Sequence, residues 1–322
     1  MSDAILSVIR DRVLQPKSTG AEDDPIEVLI AKIHERHAGK NGLNAQGEAS
    51  GVAAILVYGS YLRGKRDTLL DFYVLLDDFS SMPKPWHAYT ARVLAPNVYN
   101  IQVGEIPNQA RAKYAALSIA QFENAMTRQF HSYFWARFAQ PCGLVFARDA
   151  AIEHRVLCAL RAAVYTFYRR VLPLVESPFT SEAFWELGLS QTYRCELRAE
   201  ATGQARKLSQ ANADYFSQLT LAAAQATDLM TVKEGLFEAD VGERSRQRAV
   251  YSWGVRRVQG KFLSIARLLK ATTTFENALE YLLWKIQRHS GVYLAPTDRQ
   301  LRYPLIFAWP LLWRLYRLGA FK

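Results

Sequence analysis

The chain has 322 residues, half of them hydrophobic, which suffices for a substantial buried core and for two domains. Its 40 Lys and Arg against 30 Asp and Glu give a net charge of +10 and a pI near 9.5, pointing to an acidic partner such as a nucleotide, a nucleic acid or an anionic lipid headgroup. No run of about 18 apolar residues exists, which excludes an ordinary transmembrane helix.

The N-terminal MSDAILSVIRDRVLQPKS has charges breaking its apolar stretch and is not expected to be a signal peptide. Cys142, Cys158 and Cys195 are too scattered for a zinc motif and read as reduced thiols of a cytoplasmic compartment. After the turn-rich PKSTGAEDDP (residues 16–25), IEVLIAKIHERH has helical spacing. His34 and His37 lie about one turn apart with no third ligand nearby, so both are expected at the surface rather than on a metal. Beyond a glycine-rich loop over 38–51, AAILVY (53–58) and LLDFYVLL (69–76) read as strands joined by GSYLRGKRD, and VYNIQVGEI (98–106) reads as a third strand. The following ARAKYAALSIAQFENAMTRQFHSYFWARFAQ reads as one long helix. These elements predict an α/β (α+β) domain over residues 1–150. Residues 151–298 form a mainly helical second domain in which 231–248, charged and glycine-bearing, reads as a loop, and Phe275, Leu279, Leu282 and Ile286 share one helix face. A basic, aromatic tail occupies 299–322.

The connection between the first two strands carries the chemistry. Nucleotidyl transfer needs a tight turn whose backbone N–H groups reach a triphosphate, a carboxylate that holds magnesium, and cations that neutralise the departing pyrophosphate. Gly59 and Ser60 supply turn and hydroxyl, Asp71 can hold the metal, and Arg63, Lys65 and Arg66 can meet phosphates or simply face solvent. The bland alternative is an ordinary Gly-Ser turn followed by a strand aspartate. Position 73, on Asp71's face, is Tyr where such enzymes place a second carboxylate. Asp77 lies roughly 20 Å further along the strand at about 3.3 Å per residue, so it cannot share the ion. The second metal ligand is then Glu105, or there is none and phosphate and water complete the Mg2+ shell.

The run YGSYLRGKRDTLLDFYVLLDDF followed by PWHAYTARVLAPNVYN resembles the mitochondrial-type phosphatidate cytidylyltransferases, the translocator-maintenance family of peripheral CDP-diacylglycerol synthases. Tyr58-Gly59-Ser60, Asp71-Phe72, Asp77-Asp78, Trp86-His87 and Asn97-Val98-Tyr99 occur in the family's order. KYAALSIAQFEN, SQTYRCELRAE and VRRVQGKFLSIARLLKA are similar to later family segments, and the likeness is firm over 55–125 and 253–290. It departs at Tyr61, where the family turn has a second glycine, and the segment after Trp86-His87 is one residue longer. The resemblance implies a nucleotidyltransferase-like domain, a second domain of winged-helix-like kind, and the reaction of CTP with phosphatidic acid to CDP-diacylglycerol and pyrophosphate with Mg2+. By the same resemblance Asp71 and Lys113 are catalytic, and Tyr58, Gly59, Ser60, Arg63, Tyr114 and Lys261 bind nucleotide. His87, Arg194 and Arg256 meet lipid phosphate or are structural, and Asp71 with Glu105 holds the metal.

Arg194 and Arg198 are spaced as lipid-phosphate binders would be, or they pair with Glu196 and Glu200. The tail RQLRYPLIFAWPLLWRLYRLGAFK has no acidic residue. It is expected to lie in an anionic membrane surface, with Trp309, Trp313 and Tyr316 at headgroup depth and Arg314 and Arg317 at phosphates; the alternative is a terminal helix docked on the core. The expected location is peripheral, on the cytoplasmic face of the inner membrane, with nucleic acid not expected as partner. Two readings stay open beside this one: a nucleotidyltransferase with another acceptor, and a non-catalytic membrane or nucleic-acid binding protein on the same fold, which the absent second aspartate favours.

Overall fold

The structure, a computed structural model, describes residues 4–14, 25–38, 51–59, 61–63, 69–104, 110–196, 201–274, 279, 283, 287, 290–302 and 307–318. One mixed sheet contains β1 (Val52–Tyr58), β2 (Leu70–Leu76), β3 (Asn97–Val103), β4 (Ala110–Ser118) and β5 (Gly143–Ala147), in the order β3-β4-β2-β1-β5. β2 and β4 run parallel while the other neighbours are antiparallel. A parallel pair needs a crossover, and α3 (Pro85–Val93) together with β3 provides it.

Because the central strands are covered on both faces, they read as nearly unbroken apolar runs, and strand parity decides which core each side chain enters. Leu56 of β1, Tyr73 and Leu75 of β2, and Ala115 and Leu117 of β4 enter a core built with α1 (Ala4–Val13), α4 (Ile119–Thr127), α5 (Trp135–Phe138), α6 (Ala150–Val171), α7 (Ser181–Arg194) and α9 (Ala213–Ala226). Ile55, Val57, Phe72, Val74, Tyr114 and Ala116 enter a second core under α2 (Pro25–Arg36) and α3. The first core continues without a break to Trp253 of α10 (Glu243–Thr274), so the segments on either side of residue 150 share it. Leu279, Leu283, Ala308, Leu311 and Leu315 form a separate satellite cluster.

Three expectations are corrected. Residues 110–118 are a strand, and the helix starts only at Ile119, where the Ser118 hydroxyl accepts from the Gln121 backbone N–H and the Gln121 side chain accepts from the Ser118 N–H. That capping box marks a helix start inside what composition reads as one long helix. Residues 231–248 are not a loop: β6 (Thr231–Lys233) and β7 (Leu236–Glu238) form a hairpin, after which α10 begins. Its turn residues Glu234 and Gly235 both have positive φ (49° and 81°), as the common two-residue hairpin turn requires, and a glutamate at the first position hides the signal. His37 is fully buried rather than at the surface. Of the apolar face expected around 275–286, Leu279 is buried, while Phe275, Leu282 and Ile286 lie outside the described residues. No helix among the described residues is long and apolar enough to cross a membrane.

Candidate active site: a cleft at the strand ends

Where β1 ends, Tyr58 stands opposite Asp71 at the start of β2, and Asp71 stands opposite Lys113 of β4. Parity places all three side chains on the sheet face shared with the helical half, side by side on strands about 4.8 Å apart. The chain leaves β1 through Gly59 at φ +88°, a conformation costly to any residue with a Cβ, and a Cβ there would lie 3.6 Å from Asp71 Oδ2. This turn, Asp71 and Lys113 form the floor of a cleft of about 470 Å³.

The opposite wall comes from sequence-distant segments: Tyr133 and Arg137 around α5, Glu196 just past α7, Gln204 near the start of α8 (Ala201–Ala211) and Asn212 just after it. Arg137 organises this wall. Its Nη1 donates to Tyr73 Oη at 2.8 Å, its Nη2 lies 3.7 Å from Glu196 Oε1, and its guanidinium stands over the rings of Tyr58 and Tyr133 at 5.4 and 4.7 Å. Burial pushes the Tyr73 phenol above its usual range, so it stays neutral and accepts from the guanidinium. The position where a second carboxylate is looked for is thus a buried hydroxyl engaged with a cation. Asp77, at the other end of β2, is held in a bidentate pair with Arg148 at 2.6 and 3.0 Å, away from the cleft.

No protein-family model and no curated protein matches this chain. Among the residues singled out in the sequence, Tyr58, Gly59, Asp71 and Lys113 meet at the cleft. Ser60 and Glu105 lie outside the described residues; Arg63 ends a short 3-10 turn, Tyr61–Arg63, and its side chain is likewise outside them. Tyr114 is fully buried on the opposite face, its hydroxyl 3.1 Å from His37 Nε2, because it follows Lys113 in a strand and must point the other way. His87 is buried on that same far face, with Nδ1 3.1 Å from Tyr99 Oη. Arg256 is buried on the packed side of α10, where Nε donates to the Phe130 carbonyl at 2.8 Å and the guanidinium stacks on Phe130 and Trp253; burial pulls its pKa down. Both side chains are buried against other residues and neither lines the cleft. Arg194 is exposed at the end of α7, and Lys261 is exposed on the outer side of α10.

Arg137 and Glu196 escape sequence reasoning because their relation to Asp71 is purely tertiary; the clue available was a lone arginine among the aromatics of SYFWARF. Among the described residues no group of three His, Cys, Asp or Glu side chains is placed to hold a metal ion. Asp71 is the floor carboxylate, and Glu196 faces it from the wall beside Arg137. This donor set suits a magnesium ion bound mainly through phosphate and water, with one protein carboxylate.

Proposed function

We propose that the cleft is a nucleotidyl-transfer site on a nucleotidyltransferase-like fold, with the helices after residue 150 and the β6–β7 hairpin as its winged-helix-like half. It joins CTP to phosphatidic acid, giving CDP-diacylglycerol and pyrophosphate. The observation carrying this reading is the juxtaposition of the Gly59 turn with Asp71 and Lys113 on the floor of the cleft. The turn allows close backbone approach to a triphosphate, Lys113 supplies positive charge from the neighbouring strand β4, and Arg137 supplies a second cation from the wall.

In the reaction an oxygen of the lipid phosphate bonds to the α-phosphorus as the bond to the β-phosphate oxygen breaks, and pyrophosphate leaves. Little covalent help is required, so the protein acts by positioning and by neutralising charge. Asp71 would hold Mg2+, whose chemistry is to screen the phosphate charge as pyrophosphate departs. Glu196 competes for Arg137 and so keeps this cation oriented toward the cleft when no phosphate is present.

Pyrophosphate release from CTP on phosphatidate vesicles, with and without Mg2+, tests the reading, and CTP replaced by ATP, GTP or UTP tests the base. Asp71→Ala is expected to abolish release while leaving the circular dichroism spectrum unchanged; near-normal turnover by this variant sinks the assignment. Tyr73 in place of a second carboxylate favours a second reading, non-catalytic binding on the same fold, which predicts salt-sensitive vesicle or RNA binding without metal-dependent pyrophosphate release.

A further inference from the structure

Among the described side chains of α10, the longest helix, the packed ones lie on one side. Trp253 lies against Trp135, a Cβ on Gly260 would come within 2.3 Å of the Cys195 carbonyl oxygen, and Lys270 Nζ donates to the Pro96 carbonyl and Asn97 Oδ1. The opposite side carries Tyr251, Val255, Val258, Phe262 and Ile265, spaced four, three, four and three residues apart, so they fall on one stripe roughly 21 Å long at about 1.5 Å per residue. Tyr251 is 75 % and Phe262 69 % exposed, and the three between and beyond them are also exposed. A stripe this long on the solvent side of a helix marks an interaction surface rather than scattered surface residues.

The charge around the stripe selects its partner. Arg248 and Lys261 flank it on either edge and Arg244 extends it at the N-terminal end, all three exposed. After Glu243 the helix contains no acidic residue through Thr274. A second copy docked by the same seam would oppose these cations without the acidic flanking residues that pair coiled coils. Apolar side chains edged by snorkelling Lys and Arg are instead complementary to an anionic bilayer surface.

We propose that the outer face of α10 docks the protein on anionic lipid, with Tyr251, Val258 and Phe262 entering the interface and Arg248 and Lys261 meeting headgroup phosphates. This deepens the reading above, on which a lipid-phosphate acceptor must be reached, but it stands on α10's own residues. The C-terminal helix Trp309–Arg317, which buries Leu311 and Leu315 while exposing Trp309 and Trp313, is the internal competitor for the same task.

The experiment is co-sedimentation of the full chain with vesicles of phosphatidylcholine plus phosphatidylglycerol, and with phosphatidylcholine alone. The parent is expected to bind the mixed vesicles in a salt-sensitive way. The double variant Val258→Glu/Phe262→Glu is expected to bind about tenfold or more weaker, with unchanged circular dichroism and melting temperature. Unchanged vesicle binding by this variant overturns the proposal. So does loss of binding only in Trp309→Ser/Trp313→Ser, or conversion of a dimeric parent to a monomer by the α10 variant in sedimentation velocity. If the α10 variant loses vesicle binding but no protein releases pyrophosphate from CTP, docking stands and the nucleotidyl-transfer reading falls. A variant that still releases pyrophosphate with short-chain soluble phosphatidate, but not with vesicles, supports both.

Discussion

Acidification is expected to destabilise the fold through His37. Its Nδ1–H donates to the Ser81 carbonyl at 2.8 Å, so the neutral ring's Nε2 accepts from Tyr114 Oη at 3.1 Å, directly behind the strand position that bears Lys113. Burial above all pulls the His37 pKa from 6.5 to about 4; the Ser81 bond opposes this, while Arg36, His34 and His87 add to it. The unfolded chain binds a proton at this residue as the pH falls through about 6.5, whereas the folded chain does not until about 4. The contribution is therefore complete above the unfolded pKa and is lost progressively as the pH falls toward the folded one. Between about pH 7.5 and about pH 5 the loss is about 2 kcal/mol, approaching about 3 kcal/mol by pH 4. Against a typical total of about 5–15 kcal/mol this is a large fraction. His131, whose pKa burial also lowers to about 4, and the half-buried His34 add acid sensitivity of their own, so the comparison is with His37→Gln, which removes only the His37 linkage. Urea unfolding followed by tryptophan fluorescence should show the stability gap between parent and variant narrowing by about 2 kcal/mol over that range. A gap that stays constant with pH refutes the argument.

Arg137→Lys, which keeps charge but loses the planar fork that spans Tyr73 and Glu196, should lower kcat/KM for CTP by about tenfold to a hundredfold, measured by pyrophosphate release. Tyr114→Phe should leave the KM for CTP within about twofold, since the hydroxyl faces His37 and not the cleft, yet cost about 1 kcal/mol in urea unfolding; a large rise in KM would show that Tyr114 reaches the nucleotide after all. Gly260→Ala should destabilise by about 1–3 kcal/mol, because the new methyl meets the backbone carbonyl of Cys195, which cannot rotate away as a side-chain tip could. A melting temperature equal to the parent's would mean that α10 shifts without cost.

The Gly59–Asp71 part of the cleft floor is legible in the sequence because it is local. Two apolar runs joined by Gly59 and reopened by Asp71 specify adjacent strands, and period two puts Tyr58 and Asp71 on one face. The same rule separates Lys113 from Tyr114 once residues 110–118 form a strand. The composition of 110–118 favours helix, and tertiary pairing with β2 and β3 overrides that propensity. His37 looks like a surface residue for a related reason, since only the sheet and the Ser81 segment, assembled around it, exclude water from its ring.

What the sequence determined by itself was two adjacent strands with Gly59 closing the first and Asp71 opening the second, a tyrosine rather than a carboxylate at position 73, and a basic, aromatic C-terminal region. Only the tertiary structure decided that Arg137 and Glu196 line the cleft, that Tyr114, His87 and Arg256 are buried outside its lining, and that Lys261 edges an exposed apolar stripe on α10. The physical reason is range. Turn geometry and strand parity are set by neighbours in the chain, whereas desolvation, ion pairing and exposure depend on which distant segments the two cores bring together.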